Sequence, residues 1–157
     1  MTATAHTLVA GAIASRFHDP TTAASLALVS HFIMDAVPHW DIGTSWRSRP
    51  KHHTGFLAIL ETTIGLGVGI WFFLGQSPLP TLALAIIFSV LPDWLETPWY
   101  IFYASNKHRQ PSANANFWER LSYGIYKAEN YFHTRAQFPI GVLTQLVTVI
   151  FFLKILS

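Results

Sequence analysis

LPTLALAIIFSVLPDWLETPWYIFY, residues Leu79 to Tyr103, sets the terms on which this chain folds. Its only charges are Asp93 and Glu96, and it exceeds the ~20 apolar residues that a helix needs to cross a hydrocarbon core of ~30 Å. Working outward from it, four more apolar stretches appear: Thr2 to Phe17, Thr22 to Pro38, Thr54 to Gly75 and Phe138 to Leu156. In chain order the third, fourth and fifth are long enough to span, whereas the first two sit near or below the limit and would span only beside the others. Breakers fall between them, at His18-Asp19-Pro20, along Trp40 to Pro50 and along Gly75 to Pro80. The expectation is an all-α polytopic membrane bundle of about five helices.

Composition agrees. Of 157 residues, 51% are hydrophobic and 11% charged, well short of the roughly 25% charged residues of soluble domains. No charge block, serine-rich stretch or repeat divides the chain, so residues 1 to 157 read as one domain. With no cysteine there is neither a disulfide framework nor a thiolate site, and any metal must rest on nitrogen and oxygen. The eight histidines thereby become the main candidates. A formal charge of +2 is too small to argue for nucleic acid, and no such partner is expected.

The first stretch has an alternative reading as a secretory signal with Ala12-Ile13-Ala14 as a cleavage-like triplet, but it lacks a basic leader and carries His6. The connection from Ala104 to Gln137 begins polar, then places Trp118, Leu121, Ile125, Ala128 and Phe132 at three- and four-residue spacing. That pattern, with a mixed face of Glu119, Arg120, Lys127 and Glu129, fits an amphipathic helix lying on the membrane interface or capping the bundle. If all five stretches cross, Arg47, Arg49, Lys51, Lys107, Arg109, Arg120, Lys127 and Arg135 share one side, and only Arg16 lies in a loop on the other. The positive-inside tendency makes the richer side cytoplasmic, as in an inner (cytoplasmic) membrane with the amino terminus inside.

Topology then sorts the ionisable residues. His6 opens the first helix, His31, Asp35, His39 and Asp41 close the second, and Glu61 lies in the third behind His52 and His53. Asp93 and Glu96 lie in the latter half of the fourth, and His133 precedes the fifth. All fall on the expected cytoplasmic side, while His18 and Asp19 fall on the other. Within Ser30 to Asp41, residues His31, Asp35 and His39 are four apart and share a helix face. Imidazole and carboxylate suit zinc, and also manganese or non-haem iron. His6, His31, Asp35, His39, Asp93 and His133 are the expected ligands of a divalent metal. Glu61, Asp41 and Glu96 are the candidate proton acceptors. A polar helix end without metal is the plainer reading of His39 and Asp41, as solvated loop residues are of His52 and His53. The glycines Gly65, Gly67 and Gly69 give the third helix a small surface for packing, Gly65 and Gly69 being one turn apart.

Ala5-His6-Thr7 through Gly11, the block Ser30 to Asp41, Leu91-Pro92-Asp93 and Phe132-His133-Thr134 together resemble a family of small bacterial and archaeal integral-membrane proteins. The family is that of predicted membrane-bound metal-dependent hydrolases. The resemblance implies metal-binding roles for His6, Asp93 and His133. Two features depart from it: Leu95 and Glu96 stand where members have a second Asp and a His, and the His-Arg-Gly segment is absent. His31-x-x-x-Asp35 followed by Pro38-His39 is also similar to a motif of zinc phospholipases C and single-strand zinc nucleases, which hints at phosphoester chemistry.

The function expected is a membrane-embedded metal-dependent hydrolase in which a metal-activated water attacks an ester of an amphiphilic, lipid-like substrate. A metal- or proton-coupled transporter, or a non-catalytic membrane metal-binding protein, is the alternative. A transporter would place its ligands near the midplane, whereas these gather near one face.

Overall fold

The computed structural model describes residues 1–41, 51–104 and 110–157. Arg47, Arg49, Lys107 and Arg109, on which the expected orientation partly rests, lie outside the described residues, as does the side chain of Lys51. Six α-helices make up the described fold: α1 (Ala3–Arg16), α2 (Pro20–Ala36), α3 (Lys51–Phe73), α4 (Leu79–Pro98), α5 (Phe117–Phe132) and α6 (Ile140–Leu156). A π-helical turn, Trp99–Tyr103, continues α4.

Local chemistry starts and stops these helices. Thr2 caps α1; Asp19 caps α2, accepting the Thr22 amide at 2.7 Å with Pro20 behind it; and Asn116 caps α5, accepting the Glu119 amide at 2.8 Å. Between α3 and α4, Gly75 turns the chain at φ +85°, a left-handed conformation that favours glycine.

α1 lies at the centre, touching α2, α3, α4 and α6. It is the most deeply buried helix, with Val9, Ala10 and Ala14 fully enclosed, which makes it part of the core. It runs parallel to α3: Gly65 meets the backbone of Ala3 and Thr4, Gly69 meets Thr7, and Gly11 meets the Phe73 ring. The Thr7 hydroxyl donates to the Gly65 carbonyl at 2.7 Å, a polar bond at a close small-residue crossing. Gly67 faces open space, so only two of the three expected glycines pack. α6 joins α1 near its start, where the Gln145 amide donates to the Thr2 hydroxyl at 3.0 Å.

Beside the apolar core, small and polar side chains take a large share of the interior, and many large apolar ones lie on the surface. Alanines with Thr7, Ser30 and Ser89 fill the interior, while Ile33, Ile64, Trp71, Phe72, Leu143 and Phe151 point outward. Among the described residues, two helical segments are long and apolar enough to cross a membrane, His52–Phe73 and Leu79–Tyr103. The fifth apolar stretch, expected to reach spanning length, forms a helix of 17 residues instead.

α5 forms where the periodicity places it. Tyr123 and Tyr126 pack on Trp99 at ring-centroid distances of 4.7 and 6.1 Å, fixing α5 to the end of α4. Glu119, Ser122 and Glu129 turn inward, and Phe117, Trp118, Leu121 and Phe132 remain exposed.

Candidate metal centre

The end of the bundle beneath α5 collects residues from four helices. α1 supplies His6, α2 supplies His31 and Asp35, α4 supplies Asp93, and α5 supplies Glu129. Two short segments complete the set. His39 follows α2 and His133 follows α5, and the backbones hold them side by side. The Thr134 amide donates to the Asp35 carbonyl at 2.9 Å, the His39 amide to the Thr134 carbonyl at 3.1 Å and the Ala136 amide to the His39 carbonyl at 2.8 Å. The rings of His39 and His133 stand edge to face 4.6 Å apart, and those of His6 and His31 stack at 4.3 Å.

Three groups of donor atoms lie close enough to share an ion, every atom within 4.8 Å of the others in its group. They are His6, His31 and Asp93; Asp35, His39 and His133; and His31, Asp35, Asp93 and Glu129. His6, His31, His39 and Asp35 are almost wholly withdrawn from the surface.

The imidazoles are oriented in a consistent way. His31 donates Nδ1–H to the Ser89 carbonyl at 2.7 Å, in the turn just before Pro92. His39 donates Nδ1–H to the Val37 carbonyl at 2.8 Å. His133 donates Nε2–H to Asp41 Oδ2 at 2.7 Å. Each ring thus spends one nitrogen on a fixed acceptor, and the other nitrogen faces a carboxylate. His31 Nε2 lies 3.3 Å from Glu129 Oε2, His39 Nε2 3.0 Å from Asp41 Oδ1 and His133 Nδ1 3.4 Å from Asp35 Oδ2. His6 Nε2 faces Asp35 Oδ1 at 3.2 Å. Hydrogen bonding does not satisfy this array: His6 Nδ1 and Nε2, Asp35 Oδ2, His39 Nε2 and Glu129 Oε1 are buried without a partner. Unpartnered buried polar atoms are costly, and a lone pair facing a carboxylate is worse.

A cation resolves both. Donors about 2.0 to 2.2 Å from a common ion stand roughly 3 to 3.5 Å apart, close to the 3.3 Å between His31 Nε2 and Glu129 Oε2 and the 3.4 Å between His133 Nδ1 and Asp35 Oδ2. The outer nitrogens tied to carbonyls or carboxylate match the way metal-binding histidines are held. The residues present therefore fit a divalent ion with nitrogen and oxygen ligands. The Met1 amino group contacts Asp35 Oδ1 and lies 3.8 Å from Asp41 Oδ1, so a positive group stands between these two carboxylates.

Outside the helices, electrostatics follow the same logic. Burial would lower the His133 pKa, but Asp35 and Asp41 outweigh it and push the imidazole up to about 9. Burial would raise Asp41, yet the hydrogen bond from His133 and the adjacent His39 imidazole hold its carboxyl well below the usual range. Asp41 thus stays ionised and orients two imidazoles.

All six expected ligands fall in these groups. Glu129 joins them; the sequence pairs it with His133, four residues on, without marking it as a ligand. Of the expected proton acceptors, Asp41 touches the cluster. Glu61 instead accepts the Ala3 amide at the start of α1 at 2.5 Å, and Glu96 accepts the Tyr100 hydroxyl at 3.1 Å. Neither belongs to a donor group among the described residues. His52 and His53 are exposed at the start of α3, and His18 is exposed at the opposite end of α1.

No family model, curated protein or solved structure matches this chain.

Proposed function

We propose that this chain is an integral-membrane, metal-dependent hydrolase acting on an ester of an amphiphilic substrate at one membrane face, akin to the predicted membrane-bound hydrolases it resembles. The observation that carries the reading is the convergence of His6, His31, Asp35, His39, Asp93, Glu129 and His133 into groups of close donor atoms, several of them buried without a hydrogen-bond partner. The outward-facing Ile, Leu, Phe and Trp side chains support a polytopic bundle, with α1, α2 and α6 crossing beside the two longer helices. On this reading the exposed aromatic side of α5 rests in the interface.

A divalent ion, most simply zinc, supplies Lewis acidity and activation of water near neutral pH. His6, His31, Asp35, His39, Asp93, Glu129 and His133 would form the metal site. Asp41 fixes the ring plane of His133, and Ser89 and Val37 fix those of His31 and His39. An apolar groove of about 390 Å³ between α3 and α4, lined by Leu66, Ile87, Leu91 and Trp94, runs along the turns that carry Asp93. It suits the tail of a lipid-like substrate whose head reaches the polar end. A phosphoester is favoured by the His31-x-x-x-Asp35 likeness.

The test compares Asp35→Asn and Asp93→Asn with His18→Ala in purified protein. Both Asn variants should lose bound metal and hydrolysis of a lipid phosphoester while eluting as folded species. His18→Ala should keep both properties. Unchanged metal content in both Asn variants would remove the proposed centre.

A further inference from the structure

The donor groups are too many and too spread for one ion. First-row divalent cations take four to six ligands, and seven side chains converge here. They also divide. His6, His31 and Asp93 gather on one side, joined through His31 and Asp93 by Glu129, while His39 and His133 gather on the other. Asp35 belongs to both sides, grouping with His39 and His133 and also with His31, Asp93 and Glu129. Its two oxygens are differently employed. Oδ1 faces His6 Nε2 at 3.2 Å, and Oδ2 faces His133 Nδ1 at 3.4 Å.

Each side carries its own unpartnered buried atoms, His6 Nε2 and Glu129 Oε1 on one, His39 Nε2 on the other.

We infer that the centre holds two divalent ions bridged by the Asp35 carboxylate, one on His6, His31, Asp93 and Glu129, the other on His39 and His133. This deepens the proposed function and rests on it. A paired site of this kind, with ions about 3.5 to 4 Å apart, suits a phosphoester, whose attacking and leaving oxygens both need stabilising.

The experiment strips the detergent-purified protein with chelator and reloads it with Mn²⁺ alone, reading stoichiometry by elemental analysis and ion pairing by electron paramagnetic resonance. Two ions per chain with an exchange-coupled spectrum are expected. His39→Ala and, separately, His6→Ala should each leave one ion and convert the spectrum to that of isolated Mn²⁺. One uncoupled ion in the wild-type protein would overturn the pair while leaving a mononuclear centre standing. No bound ion would overturn the proposed function itself. Two ions retained in both variants would overturn the division of ligands. The wild-type spectrum decides the pair even if a variant fails to fold.

Discussion

His133 is where proton and cation compete most directly. Its folded pKa of about 9 exceeds the ordinary 6.5, so its pairing with Asp35 and Asp41 stabilises the fold fully below pH 6.5. That contribution is lost as pH rises through about 9. Chelator-treated protein should therefore show an unfolding midpoint that falls across this interval, and His133→Gln should flatten the fall. A wild-type midpoint that rises between pH 6.5 and 9 would contradict the pairing. Metal uptake should run the other way, because an ion on Nδ1 displaces the proton, and apparent affinity should increase with pH over the same range. His6, His31, Asp35, Asp93 and His133 were legible as a group because the expected helix order places them all toward one end of the bundle. Glu129 was not. It stands 98 residues from the imidazole it faces, and nothing local says which side of α5 turns inward.

Helix existence was legible almost to the residue, since each apolar run between breakers became a helix: Thr2 to Phe17 became Ala3–Arg16, and Leu79 to Tyr103 became α4 with its π turn. Contacts between helices were less so. Small residues mark a crossing without naming the partner, and of the glycines in α3 only Gly65 and Gly69 face α1. The distinction is measurable. A Cβ at Gly65 would come within 2.8 Å of backbone atoms of Ala3 and Thr4, so Gly65→Ala should cost about 1 to 3 kcal/mol. Gly67→Ala meets nothing within 4 Å and should be neutral or stabilise by about 0.5 to 1 kcal/mol, because alanine suits a helix better. Equal losses in a detergent unfolding titration would place the α1–α3 crossing elsewhere. α5 makes the same point about direction, for periodicity defines two faces and only the surroundings choose between them.

At the scale of the molecule, the two ends differ chemically. One collects the imidazoles and carboxylates beneath α5; the other holds the exposed His18 turn. With no native cysteine, a single Cys at His18 and another at Asn114, on the α5 side, report sidedness cleanly. On the proposed topology, a membrane-impermeant thiol reagent applied to intact cells labels His18→Cys and spares Asn114→Cys until the cells are opened. Labelling of Asn114→Cys alone would invert the orientation, and labelling of both would refute a bundle that separates them.

The pairing of the segment after α2 with the segment after α5 bears on how such a molecule matures. His39 and Arg135 sit at a parallel bridge, so the clasp closes only once the segment that carries Arg135 has been made. Until then a nascent chain holds His6, His31, Asp35 and Asp93 without the roof that α5 provides. On the proposed metal centre, an ion captured early would lack Glu129 and His133, whereas one captured after the clasp shuts would be held by both. On that reading loading would follow the docking of α5, and the ion would act as a seal on that assembly, its release slowed by the same backbone bonds that align the two histidines.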